Sequence, residues 1–202
     1  MPTTEEMLRD ARWELRVWDV EETVHNRLYS LSPDPDITAQ VDCYLIGPRY
    51  EFSAKIRGGV IEVKQLLERR AGFQRWALDW ISEPPHEPRE LNRLLVELGS
   101  ERHEGLDPLS NSQVIELVDS AQGLEAVDVT KKRRTFDLGD VLAEISEIEI
   151  DGAEPRSCVV VESTNIDRMR EMRDHLDLNG VPNVALHNTI KHMLPRLDRH
   201  AY

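Results

Sequence analysis

Residues 50–67 read Tyr50-Glu51-Phe52-Ser53-Ala54-Lys55-Ile56-Arg57-Gly58-Gly59-Val60-Ile61-Glu62-Val63-Lys64-Gln65-Leu66-Leu67. Tyr50, Phe52, Ala54 and Ile56 alternate with Glu51, Ser53, Lys55 and Arg57, the period of two that gives a strand one apolar and one polar face. Gly58-Gly59 is a two-residue turn of the kind that needs positive φ. Beyond it Glu62 and Lys64 alternate with Ile61, Val63, Gln65 and Leu67. This is a hairpin with sorted faces, and the same pattern spreads outward from it. Toward the N-terminus, Arg12, Glu14 and Arg16 oppose Trp13, Leu15 and Val17, and Asp42 and Tyr44 oppose Val41, Cys43 and Leu45. Toward the C-terminus, residues 73–81 set Arg75, Ala77 and Asp79 against Trp76, Leu78 and Trp80. Further strands are predicted over about 124–136, 139–150 and 156–162, giving roughly eight strands in an antiparallel meander.

Five helices are predicted between the strands. Asp19 followed by Glu22 caps an amphipathic stretch through Val24, Leu28 and Leu31. Leu91, Leu94, Leu95 and Leu98 precede Gly99. Ser110 with Gln113 opens a helix through Val114, Leu117 and Val118. Thr164 with Asp167 caps Ile166, Met169, Met172 and Leu176, and Asn183 caps a last helix through Ile190 and Leu194. The segments 32–36 and 83–88, rich in proline, are read as loops inside a single domain spanning residues 1–202.

The chain has 202 residues, 25 Lys+Arg against 38 Asp+Glu, and a formal net charge of −13. That length supports one sizeable core. The charge argues against a general nucleic-acid coat, because backbone binding depends on lysines and arginines displacing counterions. No apolar run approaches the 18 or so residues of a membrane span, and the acidic start at residues 1–6 is unlike a targeting peptide, so no membrane partner and a cytoplasmic location are expected. Cys43 and Cys158 are expected to be buried free thiols. Glycine-rich nucleotide loops, zinc-protease helices and nucleophile elbows are missing from the sequence. The seven histidines show no close metal spacing and are read as surface or packing residues.

The polar positions of the meander hold Arg12, Arg16, Lys55, Arg57, Lys64 and Arg75, interleaved with Glu14, Asp42, Glu62 and Asp79. An open sheet would show this face to water. A sheet that curls and closes would instead enclose a pore lined with both signs, where cations hold phosphate oxygens and acids hold Mg²⁺ or Mn²⁺. The run Lys131-Lys132-Arg133-Arg134 lies on a strand, so at most two of its four side chains reach one side.

These blocks resemble the CYTH superfamily, the triphosphate tunnel metalloenzymes that include thiamine triphosphatases, tripolyphosphatases and class IV adenylate cyclases. The resemblance covers about residues 12–194 as a dispersed pattern. Arg12-Trp13-Glu14-Leu15-Arg16 is similar to the family's E-x-E-x-K, with Arg12 in place of the first acid. Asp42-Cys43-Tyr44 is similar to D-x-Y, Lys55-Ile56-Arg57 to R-x-R, and Ile61-Glu62-Val63-Lys64 to L-x-x-K. Val160-Val161-Glu162 keeps only the second acid of an E-x-E.

The resemblance implies an α+β fold, a closed antiparallel eight-stranded barrel with helices packed outside. It implies hydrolysis of an inorganic or organic triphosphate, with Arg16, Lys55, Arg57, Lys64, Arg75 and Arg134 gripping the phosphates. Glu14, Glu144 and Glu162 would be the catalytic acids that hold Mg²⁺ or Mn²⁺. Because Arg12 and Val160 replace acids, a nucleotide- or polyphosphate-binding module without turnover, or a class IV-type adenylate cyclase, stays open beside the hydrolase. An interaction domain whose charged sheet face meets water or an acidic partner stays open too. The oligomeric state is not legible.

Overall fold

The computed structural model describes residues 10–150 and 152–193. Eight strands occur among them: β1 (Arg12–Trp18), β2 (Asp36–Ile46), β3 (Phe52–Arg57), β4 (Val60–Arg70), β5 (Phe73–Ser82), β6 (Glu125–Asp137), β7 (Leu142–Ile150) and β8 (Arg156–Ser163). They close into a barrel in the order β1-β5-β4-β3-β2-β6-β7-β8, and every neighbouring pair is antiparallel. Gly58 and Gly59 adopt φ of 56° and 87°, the left-handed conformation the expected hairpin turn requires.

Five helices lie wholly within the described residues: α1 (Glu22–Leu31), α2 (Pro88–Leu98), α3 (Asn111–Ser120), α4 (Ile166–His175) and α5 (Leu186–Met193). The apolar strand faces point outward and the helices cover them. Trp13, Leu15 and Val17 pack with Leu28 of α1 and Met169 of α4. Leu45, Ile61, Val63 and Trp80 pack with Leu91, Leu94 and Leu95 of α2 and Val114 of α3. Each fully buried leucine contributes about 1.5–3 kcal/mol to this arrangement. With the dry faces claimed by the helices, the polar faces have nowhere to go but the lumen.

The helix caps depart from expectation at three points. Asp19 does not cap α1: it takes a positive φ of 49° and pairs with Arg156, leaving Glu21 at the N-cap. At α4 the cap is Asn165 rather than Thr164, its side chain accepting from the Asp167 amide at 2.9 Å. Asn183 is a staple instead of a cap, accepting from the Arg16 amide (2.9 Å) and donating to the carbonyls of Glu14 (2.7 Å) and Gly72 (3.1 Å). Its role follows from the register. β1 pairs with β5 only over Arg12–Glu14, and Asn183 with Val184, whose amide donates to the Arg16 carbonyl, satisfies part of the backbone left over. At α3 the expected Ser110–Gln113 box is present. Leu194, expected in the last helix, lies outside the described residues.

The segment after Asn183 carries α5 against the barrel. Leu186 and Ile190 pack with Ile46, Val127, Val129, Ile148 and Val160, residues on the inward faces of β2, β6, β7 and β8, so apolar side chains fill one end of the lumen. The thiols of Cys43 and Cys158 are free; Cys158 is buried as expected, whereas Cys43 is only half-buried. His86, buried in the 83–88 loop, bridges Ser82 and Asn111 at 2.7 Å each, while Asn111 donates to the Gly59 carbonyl at 2.7 Å. This is a packing role, as expected for a histidine here. No helix among the described residues is long and apolar enough to cross a membrane.

Candidate functional site

The lumen beyond the apolar end holds a cavity of about 120 Å³. Arg16, Lys55, Arg57, Lys64, Lys131 and Arg133 line it, against Glu14, Glu144 and Glu162. A second cavity of about 200 Å³ shares Glu14, Lys64, Trp76 and Glu162 with the first and extends to Asp10, Arg12 and Leu78. Six cations thus face one small volume in a chain whose formal charge is −13.

Strand parity and register position these groups. On β1, Glu14 and Arg16 point inward because Trp13, Leu15 and Val17 belong to the outer core. Glu14 stands opposite Glu162 on β8, while Arg16 stands opposite Val160, which in turn stands opposite Glu144 on β7. The valine therefore occupies a position between a cation and a carboxylate. On β3 and β4, Lys55 opposes Glu62 and pairs with it at 3.0 Å.

Electrostatically the site divides into a tight knot and looser pairs. Asp42, with no solvent exposure, accepts two bonds from Arg57 (2.8 and 2.6 Å) and one from Lys131 (2.7 Å). Burial alone would raise its carboxyl, but these cations hold it far below the ordinary carboxylate range. Lys131 also donates to the Tyr44 hydroxyl at 2.6 Å, and burial brings its ammonium down to about 8 despite Asp42. Burial likewise lowers Lys55. Elsewhere Glu14 meets Arg16 at 3.2 Å, and Glu144 meets Arg133 at 3.3 Å while accepting from Ser146. Burial works to raise Glu14, but Arg16 and Lys64 more than offset it and the carboxyl stays below its usual value. For Glu162 burial prevails, reinforced by the charge of Glu14, and its carboxyl is raised. Burial drops His187 to about 4, so this imidazole is neutral at pH 7; its Nε2 lies 3.3 Å from the Tyr50 carbonyl.

The structure brings Glu14, Arg16, Lys55, Arg57, Lys64, Glu144 and Glu162 together around one cavity, whereas Arg75 and Arg134, expected among the phosphate ligands, lie elsewhere. Arg75 lies on the outer side of β5, its guanidinium 5.8 Å from the Trp13 ring centre. Gln74 and Trp76 take the inward positions, the Trp76 indole donating to Gln74 at 3.1 Å. The register of β4 against β5 shifts beside Lys64, where Asp79 is passed over between Leu78 and Trp80, so Trp76 faces in while Trp80 faces out. A single parity cannot run through such bulges.

Arg134 also faces outward, paired with Glu147 at 3.0 Å. It shares its side of β6 with Phe136, which is buried in the outer core beside Tyr29. The inward cations of the run are Lys131 and Arg133. Phe136 was the available signal: a large aromatic at i+2 belongs to the helix-covered side. Arg75→Gln and Arg134→Gln are therefore expected to leave tripolyphosphate affinity unchanged in calorimetry, whereas Arg133→Gln weakens it by about tenfold, the value of a charge-assisted bond.

Carboxylate and phosphate oxygens are the donors that Mg²⁺ and Mn²⁺ prefer, and Mg²⁺ is commonly held by one or two carboxylates plus substrate phosphates. The facing pair Glu14 and Glu162 fits that pattern. Among the described residues no three metal-binding side chains converge, and Glu144 is paired with Arg133.

No family model matches the sequence, and no curated protein matches it. Solved structures do. A candidate adenylyl cyclase from Hippeastrum, HpAC1, described as having a dominant triphosphatase activity, aligns over 91% of this chain and 98% of its own with 14% identity and a TM-score of 0.51. PH1012 from Pyrococcus horikoshii OT3 aligns over 84% and 92% with 19% identity and a TM-score of 0.49. A candidate adenylate cyclase from Bacillus halodurans aligns over 86% and 93% with 10% identity and a TM-score of 0.48. The chain thus shares the fold of HpAC1, a closed antiparallel barrel with helices outside, which is the fold that the resemblance to the CYTH superfamily implies.

Proposed function

We propose that this chain binds the triphosphate group of a small molecule inside its barrel and hydrolyses it with a divalent cation, Mg²⁺ or Mn²⁺. The observation that carries the reading is the convergence of Arg16, Lys55, Arg57, Lys64, Lys131 and Arg133 on one enclosed cavity. Phosphate oxygens are the natural counter-ions for such a set, and guanidinium forks fix their register where ammonium groups add point charge. Glu14 and Glu162 would hold the cation. Bound there, it would neutralise phosphoryl oxygens and help to orient the attacking water, which together with the fixed positive charges is the usual source of rate in phosphoryl transfer. The apolar side chains at the far end of the lumen limit water around the anion and strengthen every interaction with it.

Colorimetric phosphate release from tripolyphosphate, ATP and thiamine triphosphate with Mg²⁺ or Mn²⁺ tests the reading. Metal-dependent release that disappears in Glu14→Ala and Glu162→Ala is expected; release no greater than in those variants removes the hydrolase reading. A second reading is favoured by Arg12 and Val160, which stand where the resemblance expects acids: a polyphosphate-binding module without turnover. It predicts saturable calorimetric binding with no product. Cyclic AMP and pyrophosphate appearing from ATP would instead mark a cyclase.

Lys131 makes binding depend on pH. Its ammonium titrates near 8 in the free barrel, so the cation is present below that pH and lost above it. A bound polyanion favours the charged form and raises that pKa, so binding between about pH 8 and 10 takes up a proton. Apparent tripolyphosphate affinity is expected to fall as pH rises through this window. Calorimetry in two buffers of different ionisation enthalpy should report proton uptake, and Lys131→Met should abolish it.

A further inference from the structure

We propose that the divalent-cation site of this barrel is assembled by the polyphosphate, which displaces Arg16 from Glu14 and Arg133 from Glu144 and so frees both carboxylates for the ion. This rests on the reading of the lumen as a polyphosphate site. The ion pairs of the lumen differ in length in a way that sorts them. Asp42 meets Arg57 and Lys131 at 2.6–2.8 Å, the length of strong charge-assisted bonds, in a knot that also holds Tyr44. That knot keeps its own internal pairs while Arg57 and Lys131 still face the cavity.

Glu14–Arg16 and Glu144–Arg133 are longer, at 3.2 and 3.3 Å, and each carboxylate makes a single contact with its cation, while Arg133 is anchored separately through Gln40. Their carboxylates serve as internal counter-ions for cations that face the cavity. A phosphate chain brings several oxygens per guanidinium and can replace a single long contact with a bidentate one. Each exchange leaves a carboxylate facing phosphate oxygens, a surplus of negative charge that a hard divalent ion relieves. Val160 sharpens the dependence. It stands in register between Arg16 and Glu144, where a carboxylate could otherwise have joined Glu14, Glu144 and Glu162 in a preformed ligand set. Among the described residues no three metal-binding side chains converge. Anion first and metal second is the order this arrangement imposes.

The test is Mn²⁺ binding to the full chain followed by water-proton relaxation enhancement, which rises when Mn²⁺ sits on a slowly tumbling protein. Titrations are run without and with imidotriphosphate, a tripolyphosphate whose bridging oxygens are NH groups, and calorimetry of imidotriphosphate without metal runs in parallel. The expected result is metal-independent imidotriphosphate binding and at least a tenfold tightening of Mn²⁺ by the analogue. Arg133→Gln, which releases Glu144 without any anion, should let Mn²⁺ bind the free chain several-fold tighter than wild type. Glu144→Gln should keep imidotriphosphate binding and lose most of the tightening. Equal Mn²⁺ affinity with and without the analogue overturns the assembly order while leaving the polyphosphate site intact. Failure of imidotriphosphate to bind, with or without Mn²⁺, overturns the polyphosphate reading and this inference with it.

Discussion

Asp42→Ala is expected to lower the free energy of unfolding by about 3–5 kcal/mol, because removing one member of a buried ionic knot strands the others. Asp42 has no solvent exposure and receives bonds from Arg57, Lys131 and Gln40. Its loss leaves the Lys131 ammonium buried beside Arg57 with only the Tyr44 hydroxyl for a partner. Asp42→Asn keeps the shape and one accepting oxygen, so it should cost distinctly less. Urea unfolding with an unchanged m-value separates a true stability change from a change in compactness. A loss below about 1 kcal/mol in Asp42→Ala would show that the knot is solvated and that the lumen is not the low-dielectric space described above.

Arg16→Ala is expected to weaken tripolyphosphate binding by about 3 kcal/mol, roughly a hundredfold, the loss of a charge-assisted fork. Arg16 lies deep on β1 beside Glu14, with Val160 across the strand pair and Cys158 3.4 Å from one guanidinium nitrogen. Arg16→Lys should recover part of the affinity, since charge returns without the planar fork. Arg12→Ala supplies the comparison: Arg12 is exposed and lines only the outer cavity, so its removal should change affinity little. Calorimetry on the four proteins reads the set. Equal losses at Arg12 and Arg16 would mean that the anion lies outside the barrel.

Much of this architecture was legible without coordinates. Alternation in residues 12–18 and 50–67 specified strands with one apolar and one charged face, and Gly58-Gly59 specified the turn between two of them. Sorting of Arg16, Lys55, Arg57 and Lys64 onto the polar side marked the lumen-facing surface, and all four line the cavity. Pattern reading failed where parity depended on irregular pairing or on a distant neighbour. Regular alternation carried through β5 from Trp80 puts Arg75 inward, yet the shift against β4 between Leu78 and Trp80 breaks that alternation and turns Trp76 inward instead. The resemblance puts Arg134 inward, whereas Phe136 on the same side is committed to the outer core. Asn183 has the residue type of a helix cap, but unsatisfied backbone of β1 captured its side chain.

Local chemistry alone determined the strands, the hairpin, most of the helices and the sorting of four cations onto the face that lines the lumen, because periodicity and turn preference are properties of neighbouring residues. Three things belonged to the tertiary structure: which face of β5 and β6 turns inward, the sealing of one end by Leu186 and Ile190, and the pairing of each carboxylate with its own cation. Those depend on closure of the sheet, which brings β1 beside β8 and sets Glu14 against Glu162 across 148 residues of chain, a proximity that no local pattern encodes.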